Sequence, residues 1–146
     1  MEAKEHRTVA AATFNRCWEL LETNGRTSEQ DHELLTAAFA SRYHWSSIGD
    51  VDQLITSDWM VSRAAAAVGE AALAVTFATL AHDAAEGASV TDWLLASTAE
   101  GLARAFLAAG ELERSREWAR RAQQLVEVIA DEESREVIAG QLADLA

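Results

Sequence analysis

At 146 residues the chain suits one domain with a core of its own, and its 49% apolar and 25% charged residues are ordinary globular usage, which argues against disorder. A net charge of -12 repels phosphate backbones and anionic lipid, so neither nucleic acid nor a membrane surface is expected as a partner. The single cysteine, Cys17, excludes an internal disulfide, and the polar, acidic start at Met1 to His6 lacks the basic and apolar regions of a signal peptide, so the chain is expected in the cytoplasm.

Proline is absent and alanine occurs 31 times, a composition that favours long uninterrupted helices; the alternating β-branched runs of strands are missing. Lys4 is the only lysine among twelve basic residues, which suggests a high-GC bacterial genome. From Ala64 to Ala103 there is no Lys or Arg. The near-apolar run Ala64 to Ala81 approaches the length of a membrane span, but Gly69 and Glu70 interrupt it and alanine is only weakly hydrophobic, so a buried hairpin is expected.

The first helix is predicted from about Lys4 to Thr23, with Phe14, Cys17, Trp18 and Leu21 on one face and Asn24 and Gly25 as its stop. Thr27 or Ser28 caps a second helix to about Trp45, since Gln30 and Asp31 stand three residues on; Leu35, Ala38, Phe39 and Arg42 share its inner face. Gly49 and Asp50 open a third to Val68 with Ile55, Trp59, Ser62 and Ala66 in line, and Gly69 turns into a fourth to Glu86 lined by Leu73, Phe77, Leu80 and Ala84. A fifth runs from Ser89 to Ala109 with Leu95, Leu102 and Phe106, and Gly110 ends it. The sixth, to about Ala130, carries Leu112, Ala119, Ala122, Val126 and Ile129, with Glu117 and Arg121 paired on its wet side. Asp131, Glu132 and Glu133 start a short last helix with Ile138, Leu142 and Leu145. Connections of two to six residues make neighbouring helices antiparallel, and no linker divides residues 1–146 into more than one domain.

Leu102, Ala103, Phe106, Gly110, Ala119 and Ala122 fall where a tetratricopeptide repeat sets its large, small, aromatic, turn and packing residues, so this hairpin resembles one. A second, looser copy surrounds Gly69 through Trp59, Ala66, Ala74, Ala78 and Ala81, with Ser62 and Arg63 where a leucine and a small residue are usual. Gly69 and Gly110 stand 41 residues apart against about 34 in that family, and its closing proline is missing, so the resemblance is to the architecture. The chain is also similar to a family of small, uncharacterised bacterial proteins with tetratricopeptide-like folds, through Asn15 to Leu21, Ala40 to Trp45, Trp59 to Arg63 and Ile129 to Glu136. The resemblance implies an all-α, right-handed stack of six to seven helices in antiparallel hairpins, and no chemistry.

Phosphate loops, paired cysteines, His-Glu-x-x-His and Gly-x-Ser-x-Gly are all absent, and no cofactor is expected. Glu29 and His32 make one Glu-x-x-His where di-iron bundles need two, so no metal is expected; His82 and Glu86 are read as a surface or hairpin-end pair. Cys17 sits on an apolar stripe and reads as core. Cationic, titratable and aromatic residues concentrate only at Arg42, His44 and Trp45, with Trp59 and Arg63 on the next helix. One reading is a structural network in which Arg42 or Arg63 binds Asp58 or helix carbonyls; another is a pocket with Arg42, Trp45, Trp59 and Arg63 as ligand-binding residues and His44 as a proton-transfer group; a third is a partner-facing groove.

Two functions remain open. The first is a non-catalytic binding or scaffold protein whose helical groove takes a peptide, a protein partner or a small ligand. The alternative is a small cofactor-independent enzyme of cyclase or isomerase type using His44 and Arg42. Apolar faces left on the end hairpins favour a homodimer.

Overall fold

The computed structural model describes residues 1–145, of which more than two thirds are helical, with no strand among them. Seven helices are described: α1 Ala3–Leu21, α2 Ser28–Ser46, α3 Val51–Val68, α4 Ala71–Gly87, α5 Asp92–Ala108, α6 Leu112–Glu127 and α7 Glu132–Ala143. None is long and apolar enough to cross a membrane.

The helix ends follow local chemistry. Thr27, rather than Ser28, caps α2: Gln30 N–H donates to the Thr27 hydroxyl at 3.2 Å while Thr27 N–H donates to the Gln30 side chain at 3.0 Å. Asp50 and Asp131 cap α3 and α7 through the N–H groups of Gln53 and Ser134. The α3–α4 and α5–α6 turns are built alike. Gly69 (φ 87°) and Gly110 (φ 75°) are left-handed, which lets Glu70 N–H reach the Ala65 carbonyl and Glu111 N–H the Phe106 carbonyl, both at 2.9 Å.

Helices adjacent in sequence pack in pairs, α1 on α2, α3 on α4 and α5 on α6, and α2–α3 and α4–α5 contacts join the pairs into a stack of hairpins that α7 closes beside α5 and α6. Small residues set the spacing. In each hairpin one serine crosses to a partner backbone: Ser41 donates to the Ala10 carbonyl at 2.9 Å, Ser62 to Ala74 at 2.7 Å and Ser115 to Ala103 at 2.8 Å. Ser62 thus stands where a leucine is usual because a hydroxyl is bonding an adjacent backbone.

The same spacing rotates the expected face of α4. Ala74, Ala78, Ala81 and Ala85 are buried with His82, whereas Leu80 is 47% exposed and Ala84 also faces solvent. Leucine has no room where backbones run this close, so the large residues sit on the flanks of the alanine stripe. On α2, Leu34, Ala37, Ala38, Ser41 and Trp45 are buried; Phe39 is half-exposed and meets Phe77 edge-on at 5.5 Å. Leu112 of α6 is likewise exposed.

Backbones of α1, α3, α5 and α7 touch in series, but those of α2 and α4, and of α4 and α6, do not. The odd-numbered helices are therefore the closer-set layer and line the inner side of the stack.

Candidate functional site

The five residues grouped by their sequence positions separate into two sets. Arg42 donates from Nε to Oδ1 of Asp58 and lies 5.5 Å from the Phe77 ring centroid. Burial pushes the Asp58 carboxyl above the usual carboxylate range, and the Arg42 bond opposes that only in part. His44 meets His6 through their Nδ1 atoms at 2.9 Å, with Tyr43 edge-on to its ring. Trp45 is buried beneath the Arg7 guanidinium, 5.6 Å from its ring, and borders a 120 Å³ cavity. Trp59 and Arg63, on α3, turn instead into the inner groove.

Arg63 lies against two indoles, 5.1 Å from the Trp18 centroid and 5.6 Å from that of Trp59, and the two indoles are themselves 5.9 Å apart. Gly101 makes this arrangement possible: a Cβ there would come within 2.9 Å of Trp59 Cδ1. Beside it Glu100 is fully buried on α5, its Oε1 accepting from Arg104 Nε at 2.9 Å and Nη2 at 2.7 Å, and Arg104 also donates to the Gln141 carbonyl of α7. Burial, reinforced by the charge of Arg104, holds the Arg63 guanidinium below its usual pKa, while Glu100 and Asp144 act against that.

Four buried polar atoms in this cluster have no hydrogen-bond partner: Arg63 Nε and Nη1, Glu100 Oε2 and Gln141 Oε1. Buried polar groups are normally paired, because desolvation without a bond costs about 1–3 kcal/mol each. Two are donors and two are acceptors. Cavities open on either side. One of 430 Å³, walled by Phe14, Trp59, Trp93 and Ile138, reaches Gln141; the other, of 360 Å³, is bounded by Arg26, Arg63, Arg104 and Asp144. Their α5 residues, Trp93, Leu94 and Ser97 for the first and Arg104, Leu107 and Ala108 for the second, place the two cavities along one helix on either side of Glu100 and Gly101.

Trp18, Glu100, Arg104 and Gln141 complete the surroundings of Arg63, a role that sequence patterns did not assign to them. A signal was present for two: Glu100 precedes Arg104 by one helical turn and is the one charged residue from Trp93 to Ala103.

Other reactive groups are committed elsewhere. Cys17 is buried, its thiol pushed up to about 12 by desolvation, out of range for a nucleophile near neutral pH. His82 is buried rather than superficial: Nδ1 lies 3.0 Å from the Thr98 hydroxyl, Nε2 2.8 Å from Glu86, and Trp118 packs against the ring. The Thr98 hydroxyl donates to the Leu95 carbonyl, so this hydroxyl–imidazole–carboxylate series holds α4 to α5 and offers no accessible nucleophile. Among the described residues no group of three His, Cys, Asp or Glu is placed to hold a metal ion. Comparison with protein-family models, with curated proteins and with solved structures finds no match to this chain.

Proposed function

We propose that the chain is a non-catalytic binding protein with a tetratricopeptide-like stack, whose inner groove receives a peptide segment of a partner. The observation that carries this reading is the set of four unpaired polar atoms on Arg63, Glu100 and Gln141, enclosed between two cavities. Their demand is mixed. An anion would serve the guanidinium and leave the acceptor oxygens bare, whereas a peptide offers a carbonyl to Arg63 and an N–H to Gln141. The indole of Trp59 and the pair of cavities along α5 suit a chain of several residues.

The acid–base alternative draws less support. Arg42 is engaged by Asp58, His44 faces His6, and the unpaired groups lie on the other side of α3.

The test is selection from displayed random 12-residue peptides, followed by titration of the selected synthetic peptides monitored by tryptophan fluorescence. Binders of this groove lose about tenfold or more in affinity on Arg63→Met, the loss of one charge-assisted hydrogen bond. Peptides that bind equally to wild type, Arg63→Met and Glu100→Gln would overturn the proposal.

A further inference from the structure

We infer that the smaller inner cavity is a carboxylate site, so that the segment received by the groove carries an acidic group where it passes Arg63. The inference rests on the reading of the groove as a peptide-binding surface and adds the chemistry of the occupant.

Three guanidinium groups from three parts of the chain border this cavity: Arg26 from the α1–α2 connection, Arg63 from α3 and Arg104 from α5. All three are partly buried. Arg26 donates from Nε to Asp31 at 2.8 Å, from Nη1 to the Leu20 carbonyl at 3.2 Å and from Nη2 to the Ala67 carbonyl at 3.3 Å, which fixes it between the ends of α1 and α3. Arg104 is held by Glu100 and the Gln141 carbonyl through Nε and Nη2, bonds that leave its Nη1 outside them. Arg26 and Arg104 thus each have a carboxylate of their own. Arg63 has none: its Nε and Nη1 lack a hydrogen-bond partner, and burial together with the like charge of Arg104 works against its cation. The one carboxylate lining the cavity is Asp144, exposed at the end of α7, and its charge offsets that cost only in part.

Each candidate occupant meets these features differently. A backbone carbonyl supplies an acceptor but no charge, and leaves the excess of cationic groups in place. An ammonium group is repelled by all three guanidinium groups. A phosphate dianion carries more charge than the one unpaired cation balances and also faces Asp144. A carboxylate brings a single negative charge and lone pairs for several N–H donors, the combination that guanidinium groups bind best. Leu21, Leu107 and Leu145 wall the rest of the cavity and suit the methylene stem of an acidic group, and its 360 Å³ is in the size range of ligand sites.

The experiment titrates four probes into the intact protein and follows the indole N–H resonances of Trp18 and Trp59, whose rings lie 5.1 and 5.6 Å from the Arg63 guanidinium. Acetyl-Ala-Leu-Glu-Leu-amide carries a side-chain carboxylate, acetyl-Ala-Leu-Gln-Leu-amide carries none, acetyl-Ala-Leu-Gln-Leu carries one at its C-terminus, and 4-methylpentanoate is a free small acid. The probes with a carboxylate are expected to shift both signals and to bind about tenfold more tightly than the neutral peptide, a preference that Arg63→Met removes. Asp144→Asn takes away the opposing charge at an exposed position, and should strengthen the acidic peptide about threefold without altering the melting temperature. The tighter of the two acidic peptides identifies a side chain or a chain end as the source, and either supports the inference. Binding of 4-methylpentanoate as tight as that of both would overturn the peptide reading and keep the carboxylate site. Equal binding of the acidic and neutral peptides would overturn the carboxylate site and leave the groove a peptide-binding surface. No shift at Trp18 and Trp59 with any probe would overturn it too, and selected 12-residue peptides that still bind through Arg63 would show that the groove reading survives.

Discussion

Arg104→Met tests whether the buried carboxylate of Glu100 dominates the energetics of the groove. Glu100 has no solvent exposure, and one side chain, Arg104, holds it through two short contacts to Oε1 while Oε2 already lacks a partner. Removing the guanidinium strips the buried carboxylate of its hydrogen-bonded partner, which costs about 3–5 kcal/mol, toward the lower figure here because Arg104 is itself partly open to water and the Arg63 charge remains close by. For a chain of this size about 2–4 °C is lost per kcal/mol, so the melting temperature should fall by at least about 6 °C. The double variant Glu100→Leu/Arg104→Met replaces the pair by apolar groups of similar volume and should recover most of the loss. Urea unfolding followed by dichroism at 222 nm measures all four corners of the cycle. The reasoning fails if Arg104→Met loses under about 1 kcal/mol, or if the double variant is as unstable as the single one. The pair is retained for binding if the double variant folds well and no longer binds groove peptides.

Phe106 is buried among Ala65, Ala74, Ala78 and Leu102, so Phe106→Ala should cost about 3–5 kcal/mol in the same assay, and a loss under about 1 kcal/mol would mean that the α5 register is misplaced. Cys17, with its thiol raised to about 12, should react with iodoacetamide at pH 8 about a thousandfold more slowly than the unfolded chain, the ratio of thiolate fractions; a comparable rate would show that the α1–α2 seam is open. Burial lowers the pKa of His82, so the folded state binds its proton less readily than the unfolded chain does; this contribution is present above about pH 6.5 and is lost as pH falls below it. Wild type should therefore lose more melting temperature between pH 7 and 5 than His82→Gln, and parallel profiles would refute the assignment.

Helix number, order and ends were legible because they rest on local chemistry. The Thr27–Gln30 capping box, the Asp50 and Asp131 caps and the turns at Gly69 and Gly110 are written within a few residues of where they act. Which face of a helix is inside was less legible. In α4 both Leu73, Phe77, Leu80 and Ala84 and the stripe Ala74, Ala78, Ala81 and Ala85 keep a helical period, and hydrophobicity alone favours the bulkier set. The close approach of two backbones reverses that choice. Such an approach is a property of the pair of helices, and neither sequence segment contains it.

The site shows the same division between local and long-range information. Trp59 and Arg63 stood out by residue type and do face the groove, but the residues that complete their surroundings come from Trp18, Glu100, Arg104 and Gln141 on three other helices. α2 carries Arg42, His44 and Trp45 to its seams with α1 and α3, where Asp58, His6 and Arg7 engage them, and the small cavity at Trp45 shares Phe14 and Thr56 with the one at Trp59. Charge density along the chain therefore grouped residues whose polar partners the fold supplies from different elements. What separates the two sets is whether their polar atoms are paired. Arg42 has its carboxylate, whereas Arg63 Nε and Nη1 have no hydrogen-bond partner, and the indole faces beside the guanidinium cannot accept the N–H bonds that a carbonyl accepts. Buried polar groups of folded proteins are paired by the chain, by ordered water or by a ligand, and we assign the deficit on the inner side of α3 to a ligand.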